Sequence, residues 1–223
     1  MRNEMMSHPV VHKKVQNFLR NQPLPISPKL AQIEQWANER RVPIIPRETA
    51  AYLYQLVSIQ APQRILEVGT AIGFSSALFV EADPKNVQVT TIDRFDTMYN
   101  HAKENWQQLG YQDQIDLLIG DAADILPTLQ TDYDLIFLDA AKAQYIKFLP
   151  DALRLLAPNG ILLIDDVLQG GTIFDDITTI RHRNKGIHRG LNQLLTTVYQ
   201  NPNLNVSLLP LGDGVLQITW REH

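Results

Sequence analysis

The chain is 223 residues long, with no cysteine and a formal net charge of −4 at pH 7; at roughly 100 to 200 residues per domain, that length suits one large α/β domain. Disulfides, thiolate metal centres and cysteine nucleophiles are excluded, and so is a uniformly basic nucleic-acid binder, although a local basic patch is not. A composition of 44% hydrophobic and 20% charged residues is that of a globular protein rather than a disordered, collagenous or coiled-coil one.

Met1 to His8 has no apolar stretch and no small-residue cleavage site, so the expectation is a cytoplasmic protein. Apolar runs such as Gly160 to Ile164 fall far short of the roughly 18 residues a bilayer demands, so no membrane partner is expected. The first 63 residues read as a helical cap. Lys29 to Arg41 places Leu30, Ile33, Trp36 and Ala37 on one stripe, and Pro46 to Ile59 carries another. Pro23-Leu-Pro25 and Val42-Pro-Ile-Ile-Pro46 interrupt them. From Arg64 onward short aliphatic runs alternate with helical patterns, the mark of βαβ units. Arg64 to Val68, Val87 to Ile92, Ile115 to Ile119, Tyr133 to Leu138 and Gly160 to Ile164 are the strand candidates, each apolar enough to be covered on both faces. Lys142 to Ala157 is the clearest helix, stopped by Pro158-Asn-Gly160. Asn205 to Pro210 and Val215 to Trp220 flank Leu211-Gly-Asp-Gly214 and predict an antiparallel hairpin at one sheet edge. With no internal repeat and no linker rich in Gly and Ser, residues 1–223 read as a single doubly wound α/β domain, with 64–223 as its core.

Ile65-Leu-Glu-Val-Gly-Thr-Ala-Ile-Gly-Phe-Ser75 puts Gly69 at the carboxyl end of the first strand and Gly73 at a helix start, where open α/β sheets bind ligands. The spacing is E-x-G-x-x-x-G rather than G-x-G-x-x-G, which weakens a nicotinamide reading. Asp93 ends the second strand about twenty residues on, where a carboxylate can accept ribose hydroxyls. Asp121 and Ala122 follow the third strand, Asp121 being also a competent helix N-cap. Asp139 closes the fourth strand, and Asp165 and Asp166 close the fifth. Like charges so placed repel unless a cation joins them. All-oxygen ligands suit Mg²⁺, with Mn²⁺ or Ca²⁺ as substitutes. Arg181-His-Arg-Asn-Lys-Gly-Ile-His-Arg189 gathers basic residues with no acid, a surface for phosphates. Lys13, Lys14, Arg20, Arg40, Arg41 and Arg47 could extend it, but scattered basic residues on helices are more often solvated.

The glycine loop resembles motif I of the class I S-adenosylmethionine-dependent methyltransferases, and five strands plus a hairpin match their seven-stranded Rossmann-like sheet; the resemblance runs from about Val42 to Trp220. It implies that Gly69, Gly73 and Ser75 hold the methionine part of S-adenosylmethionine, that Glu67 supports the loop, that Asp93 takes the ribose, and that Asp121 and Ala122 face the adenine. Asp139-Ala-Ala-Lys142 and Asp165-Asp166 resemble the metal and catalytic segments of the cation-dependent O-methyltransferases, which include catechol and caffeoyl-CoA methyltransferases. By that likeness Asp139, Asp165 and Asp166 ligate the metal, Asp139 also borders the cofactor and takes part in catalysis, and Lys142 is base or oxyanion stabiliser. The family generally has Asn where this chain has Asp166. The pairing of Val42–Pro46, Arg181–Arg189 and Pro210–Gly214 looks most like bacterial tRNA 5-hydroxyuridine methyltransferases. That likeness implies a tRNA anticodon loop as partner, held by Arg181, Arg183, Lys185 and Arg189, with Ile44 over the cofactor and a homodimer as the assembly. Two alternatives share the glycine loop: an O-methyltransferase of catechols or CoA-linked phenols, and a non-catalytic S-adenosylmethionine-binding interaction protein.

Overall fold

The computed structural model describes residues 11–140 and 142–221. Three helices come first: α1 (Lys13–Arg20), α2 (Pro28–Arg40) and α3 (Arg47–Gln60). Seven strands follow, with α4 to α8 between them: β1 (Arg64–Val68), α4 (Phe74–Ala82), β2 (Gln88–Asp93), α5 (Asp96–Leu109), β3 (Ile115–Ile119), α6 (Ala122–Ile125), β4 (Tyr133–Leu138), α7 (Tyr145–Leu155), β5 (Leu156–Ile164), α8 (Lys185–Gln200), β6 (Leu204–Leu209) and β7 (Val215–Trp220). The strands form one sheet in the order β3-β2-β1-β4-β5-β7-β6, parallel from β3 to β5 and antiparallel from β5 through β7 to β6. The order reverses between β1 and β4, so their carboxyl ends open a crevice at the switch point.

Successive residues of each central strand enter different cores. Leu66, Ile136, Leu162 and Ile164 pack with α7 and α8, whereas Ile65, Leu135, Phe137 and Leu163 pack with α2, α3 and α4. Burial on both faces is why these strands read as unbroken aliphatic runs instead of alternating ones. The ion pairs Arg20–Glu48 at 2.9 Å and Arg47–Glu34 at 2.7 Å tie the three cap helices together through buried glutamates. Arg20 and Arg47 therefore neutralise interior acids and do not extend a basic surface.

Three elements differ from the sequence expectation. The segment 142–157 is not one helix: Lys142–Gln144 is a 3-10 turn, and α7 begins at Tyr145. Pro158-Asn-Gly160 does not separate helix from strand, because Leu156 already pairs with Tyr133 and the chain then bulges until Ile161 meets Leu135. Finally α8 begins inside the basic segment, and His188 of that segment is buried, its Nε2 3.1 Å from the Asp175 carbonyl. Among the described residues no helix is long and apolar enough to cross a membrane.

Candidate active site

The chain leaving β1 must turn between two neighbouring strands, and the space there is minimal. Gly69 has a φ of +109°, and a Cβ on it would lie 2.5 Å from the Asp139 carbonyl oxygen. Its amide donates to Ile92 O at 3.0 Å, and the Asp139 amide donates to Val68 O at 2.8 Å, so the ends of β2 and β4 are fastened to Gly69 and to Val68 before it. Gly73, at φ +75°, caps α4; a Cβ there would meet Trp106 Nε1, which instead donates to Gly73 O at 3.0 Å. The first helical bond of α4 runs from Ala77 N to Gly73 O, which leaves the preceding amides without helical acceptors and able to hold an anion.

Glu67 lies fully buried under this loop. The hydroxyls of Ser75, Ser76 and Thr91 all donate to its carboxylate. Ser75 thus spends its side chain on Glu67, and what it offers a ligand is its backbone amide. Burial raises the Glu67 pKa to about 7, against the pull of those three hydroxyls. A raised acid stabilises the fold fully below its ordinary value of 4.5 and loses that contribution as pH climbs through about 7. At about 1.4 kcal/mol per pH unit the window is worth on the order of 3 kcal/mol. Glu67→Gln should therefore gain that much on the wild type between these pH values in chemical denaturation. A gap that stays constant with pH would rule out a buried neutral acid here.

Along the switch-point crevice, Asp93 accepts the Ala71 amide at 3.0 Å and the Arg94 and Phe95 amides at 2.7 and 2.9 Å, so it buttresses the glycine loop. Asp121 caps α6 by accepting the Ala123 amide at 2.9 Å, and its other oxygen pairs with Arg94 at 2.6 Å. Ala122 is buried beside it. Ile44 packs, partly buried, on the core beneath α2 and α3.

The register places Asp139 and Asp165 side by side: Leu138 pairs with Ile164, and the Asp165 amide donates to Leu138 O at 2.9 Å. Asp165 is 1% exposed and accepts the Asp166 amide at 2.7 Å. Asp166 adopts φ +60°, a left-handed conformation that swings it out of the strand. Burial, then the charges of Asp165 and Asp166, push the Asp139 pKa well up; burial, then Asp166, do the same to Asp165. The cation present is Lys142, whose Nζ lies 2.5 Å from Asp166 Oδ2 in an ion pair rather than an aligned hydrogen bond. Among the described residues no three acidic, histidine or cysteine side chains are gathered closely enough to hold a metal ion as they stand. Asp139 and Asp165 therefore follow paired strand ends, whereas the expected gathering of all three aspartates is not seen among the described residues, Asp166 being paired with Lys142.

Sequence reasoning missed three further polar groups. Asp213, read only as a turn residue, reaches back from the β6–β7 loop: its Oδ1 accepts the Gly170 amide at 2.5 Å and its carbonyl accepts the Leu168 amide at 2.9 Å. Burial raises its pKa to about 6, and the nearby Asp166 charge adds to the rise. Asp213 Oδ2, Gln169 Nε2 and the Tyr145 hydroxyl are buried with no hydrogen-bond partner. Such orphans cluster where a ligand, ion or water completes the network. Of the remaining predicted residues, Arg181, Arg183 and Arg189 are exposed and Lys185 partly so. Their segment leads into α8, whose Gly190 would bring a Cβ within 3.1 Å of the Ala143 carbonyl, next to Lys142.

Residues 27–220 match the sequence family described as O-methyltransferase. A catechol O-methyltransferase of Niastella koreensis is 32% identical over 132 residues, 57% of this chain and 60% of its own. A Dictyostelium discoideum protein named probable caffeoyl-CoA O-methyltransferase 2 is 27% identical over 87% of this chain and 84% of its own. Among solved structures, the S-adenosylhomocysteine-bound Podospora anserina methyltransferase PaMTH1 superposes with a TM-score of 0.84 at 26% identity, covering 100% of this chain and 98% of that one. With the glycine loop, the reversed strand order and the matched span in agreement, the chain belongs to the O-methyltransferase family.

Proposed function

We propose that this chain is an S-adenosylmethionine- and divalent-cation-dependent O-methyltransferase acting on an acceptor with two vicinal oxygens, of the catechol or CoA-linked phenol kind. The observation that carries this reading is the set of carboxylates at the ends of β4 and β5, the buried Asp165 with the half-buried Asp139 and Asp166, beside Lys142 and next to the strand that carries the glycine loop. Mg²⁺ asks for only one or two protein carboxylates and keeps several waters, so this oxygen donor set fits it, or Mn²⁺ or Ca²⁺, without a three-residue cage. Bound S-adenosylmethionine supplies the methyl group on a sulfonium, and a bound dication supplies the charge that favours an ionised acceptor hydroxyl. The free amides at the start of α4 receive the cofactor carboxylate, with Gly69 permitting the close approach. Asp93 and Asp121 stand at the ends of β2 and β3, where the resemblance puts the nucleoside. Lys142 Nζ stands 2.5 Å from Asp166 Oδ2, beside the carboxylates. Its part is to stabilise the developing oxyanion and orient it for in-line attack. Asp166, where the family generally has Asn, adds a charge that this ion pair balances.

A second reading, methylation of 5-hydroxyuridine in a tRNA anticodon loop, is favoured by the basic segment Arg181, Arg183, Lys185 and Arg189 beside the Lys142 turn. The named relatives favour the phenolic acceptor, and the same segment suits the phosphates of a CoA carrier. One assay separates the two: the full chain with S-adenosylmethionine and Mg²⁺ is offered catechol, caffeoyl-CoA and 5-hydroxyuridine tRNA, with and without chelator. Chelator-sensitive methylation of a phenol is the expected result, product on tRNA alone would establish the second reading, and turnover indifferent to chelator would overturn the cation's role. Changing Arg181, Arg183 and Arg189 together to glutamine should raise KM for a phosphate-bearing acceptor and flatten its salt dependence, with cofactor affinity intact. Lost cofactor binding in that variant would show that the segment does more than contact phosphate.

A further inference from the structure

Tyr145 has 0% exposure, and it shares a buried cluster with Leu138, Ile164 and Val167, the residues that adjoin Asp139, Asp165 and Asp166 in sequence. A phenylalanine would fill that space equally well. Only the hydroxyl distinguishes tyrosine there, and it has no hydrogen-bond partner within the protein. Burial, then the charges of Asp139, Asp166 and Asp165, hold the phenol pKa well up. An ordinary phenol carries its proton at neutral pH, so the hydroxyl is a donor, and the Ala140 amide approaches its oxygen without closing a hydrogen bond. Total burial keeps it from the acceptor, which excludes a role in chemistry. Gln169, 3% exposed, leaves its amide nitrogen equally unpartnered on the turn after Asp166. Two orphaned donors beside acids mark a network that is complete only with water or an ion in it.

We propose that Tyr145 is a positioning residue of the cation site: its hydroxyl donates, directly or through one water, to the carboxylate of Asp139 and fixes that group's orientation. The inference rests on the cation-dependent reading above. Hydrogen bonds of this kind, behind the residues that hold a metal, set its affinity, and losing one typically costs 10–100-fold.

The test is Mn²⁺ titration of the full chain by calorimetry, for wild type, Tyr145→Phe, Asp139→Asn and the double variant, with Tm and KM for S-adenosylmethionine measured alongside. Tyr145→Phe should weaken Mn²⁺ binding by about tenfold or more. Its Tm and cofactor KM should stay at wild-type values, and saturating Mn²⁺ should restore most of kcat. On the Asp139→Asn background the same change should have no further effect, because the two residues act as one unit. Mn²⁺ affinity of Tyr145→Phe within twofold of wild type, or additive losses in the double variant, would overturn the Tyr145 inference and leave the cation reading standing. A wild type that binds no Mn²⁺ and ignores chelator would overturn both.

Discussion

Asp165→Asn is expected to cut methyl transfer by on the order of 10³-fold while raising the melting temperature. The amide keeps the volume and the oxygen that accepts the Asp166 amide at 2.7 Å, so the turn survives. What disappears is a negative charge at a site that is 1% exposed and faces a second carboxylate. Burial and Asp166 both disfavour that charge, so neutralising it removes a cost from the folded state. The same charge is what a dication would bind. Metal assistance supplies several kcal/mol of transition-state stabilisation, and at about 1.4 kcal/mol per factor of ten its loss gives the stated rate effect. Opposite signs in activity and stability are the mark of a residue kept for chemistry at the expense of the fold. Steady-state rates at saturating acceptor and calorimetric melting of the same sample check both. Unchanged turnover with a raised Tm would make Asp165 a mere structural liability and take the cation site with it.

The sheet was legible because each central strand is covered on both faces and so shows as a short aliphatic run between polar turns. Boundaries slipped where the information is non-local. Pro158-Asn-Gly160 carries every local sign of a stop, yet Leu156 is already a strand residue because Tyr133 stands opposite it. The start of α8 was hidden in a segment whose cations read only as a basic surface. Its apolar stripe, Leu191, Leu194 and Val198, begins only after them.

The site divides in the same way. Residues at strand ends, Gly69, Asp93, Asp139 and Asp165, follow from the strands themselves, since the βαβ order brings all their carboxyl ends to one edge. Asp213 lies in the loop joining β6 to β7 and reaches the segment after Asp166 only because β7 inserts antiparallel next to β5. Tyr145 sat on the apolar stripe of α7, where its ring belongs. That its hydroxyl has no partner depends on which atoms surround it, and no spacing rule carries that.

Gly69→Ala is expected to damage fold and cofactor site together, with S-adenosylmethionine binding weakened by on the order of 10²-fold, the scale set by misplacing a positioned group by about 1 Å. The added Cβ would meet Asp139 O at 2.5 Å, Asp139 C at 2.9 Å and the Ala140 Cβ at 3.0 Å. Two of these three atoms are backbone, so no rotamer change relieves the clash, and the ends of β1 and β4 must separate. A φ of +109° adds strain that a side chain rarely tolerates, about 1–3 kcal/mol. For a chain of this size that corresponds to a fall of roughly 2–12 °C in Tm. Gly110→Ala is the control: its φ of +80° carries strain, but a Cβ there meets nothing within 4 Å. It should lower Tm modestly and leave cofactor affinity where it was. Equal affinity losses in the two variants would mean that general destabilisation, not the separation of β1 from β4, governs binding. Loss confined to Gly69→Ala ties cofactor capture to the one point where the glycine loop and Asp139 share a backbone contact.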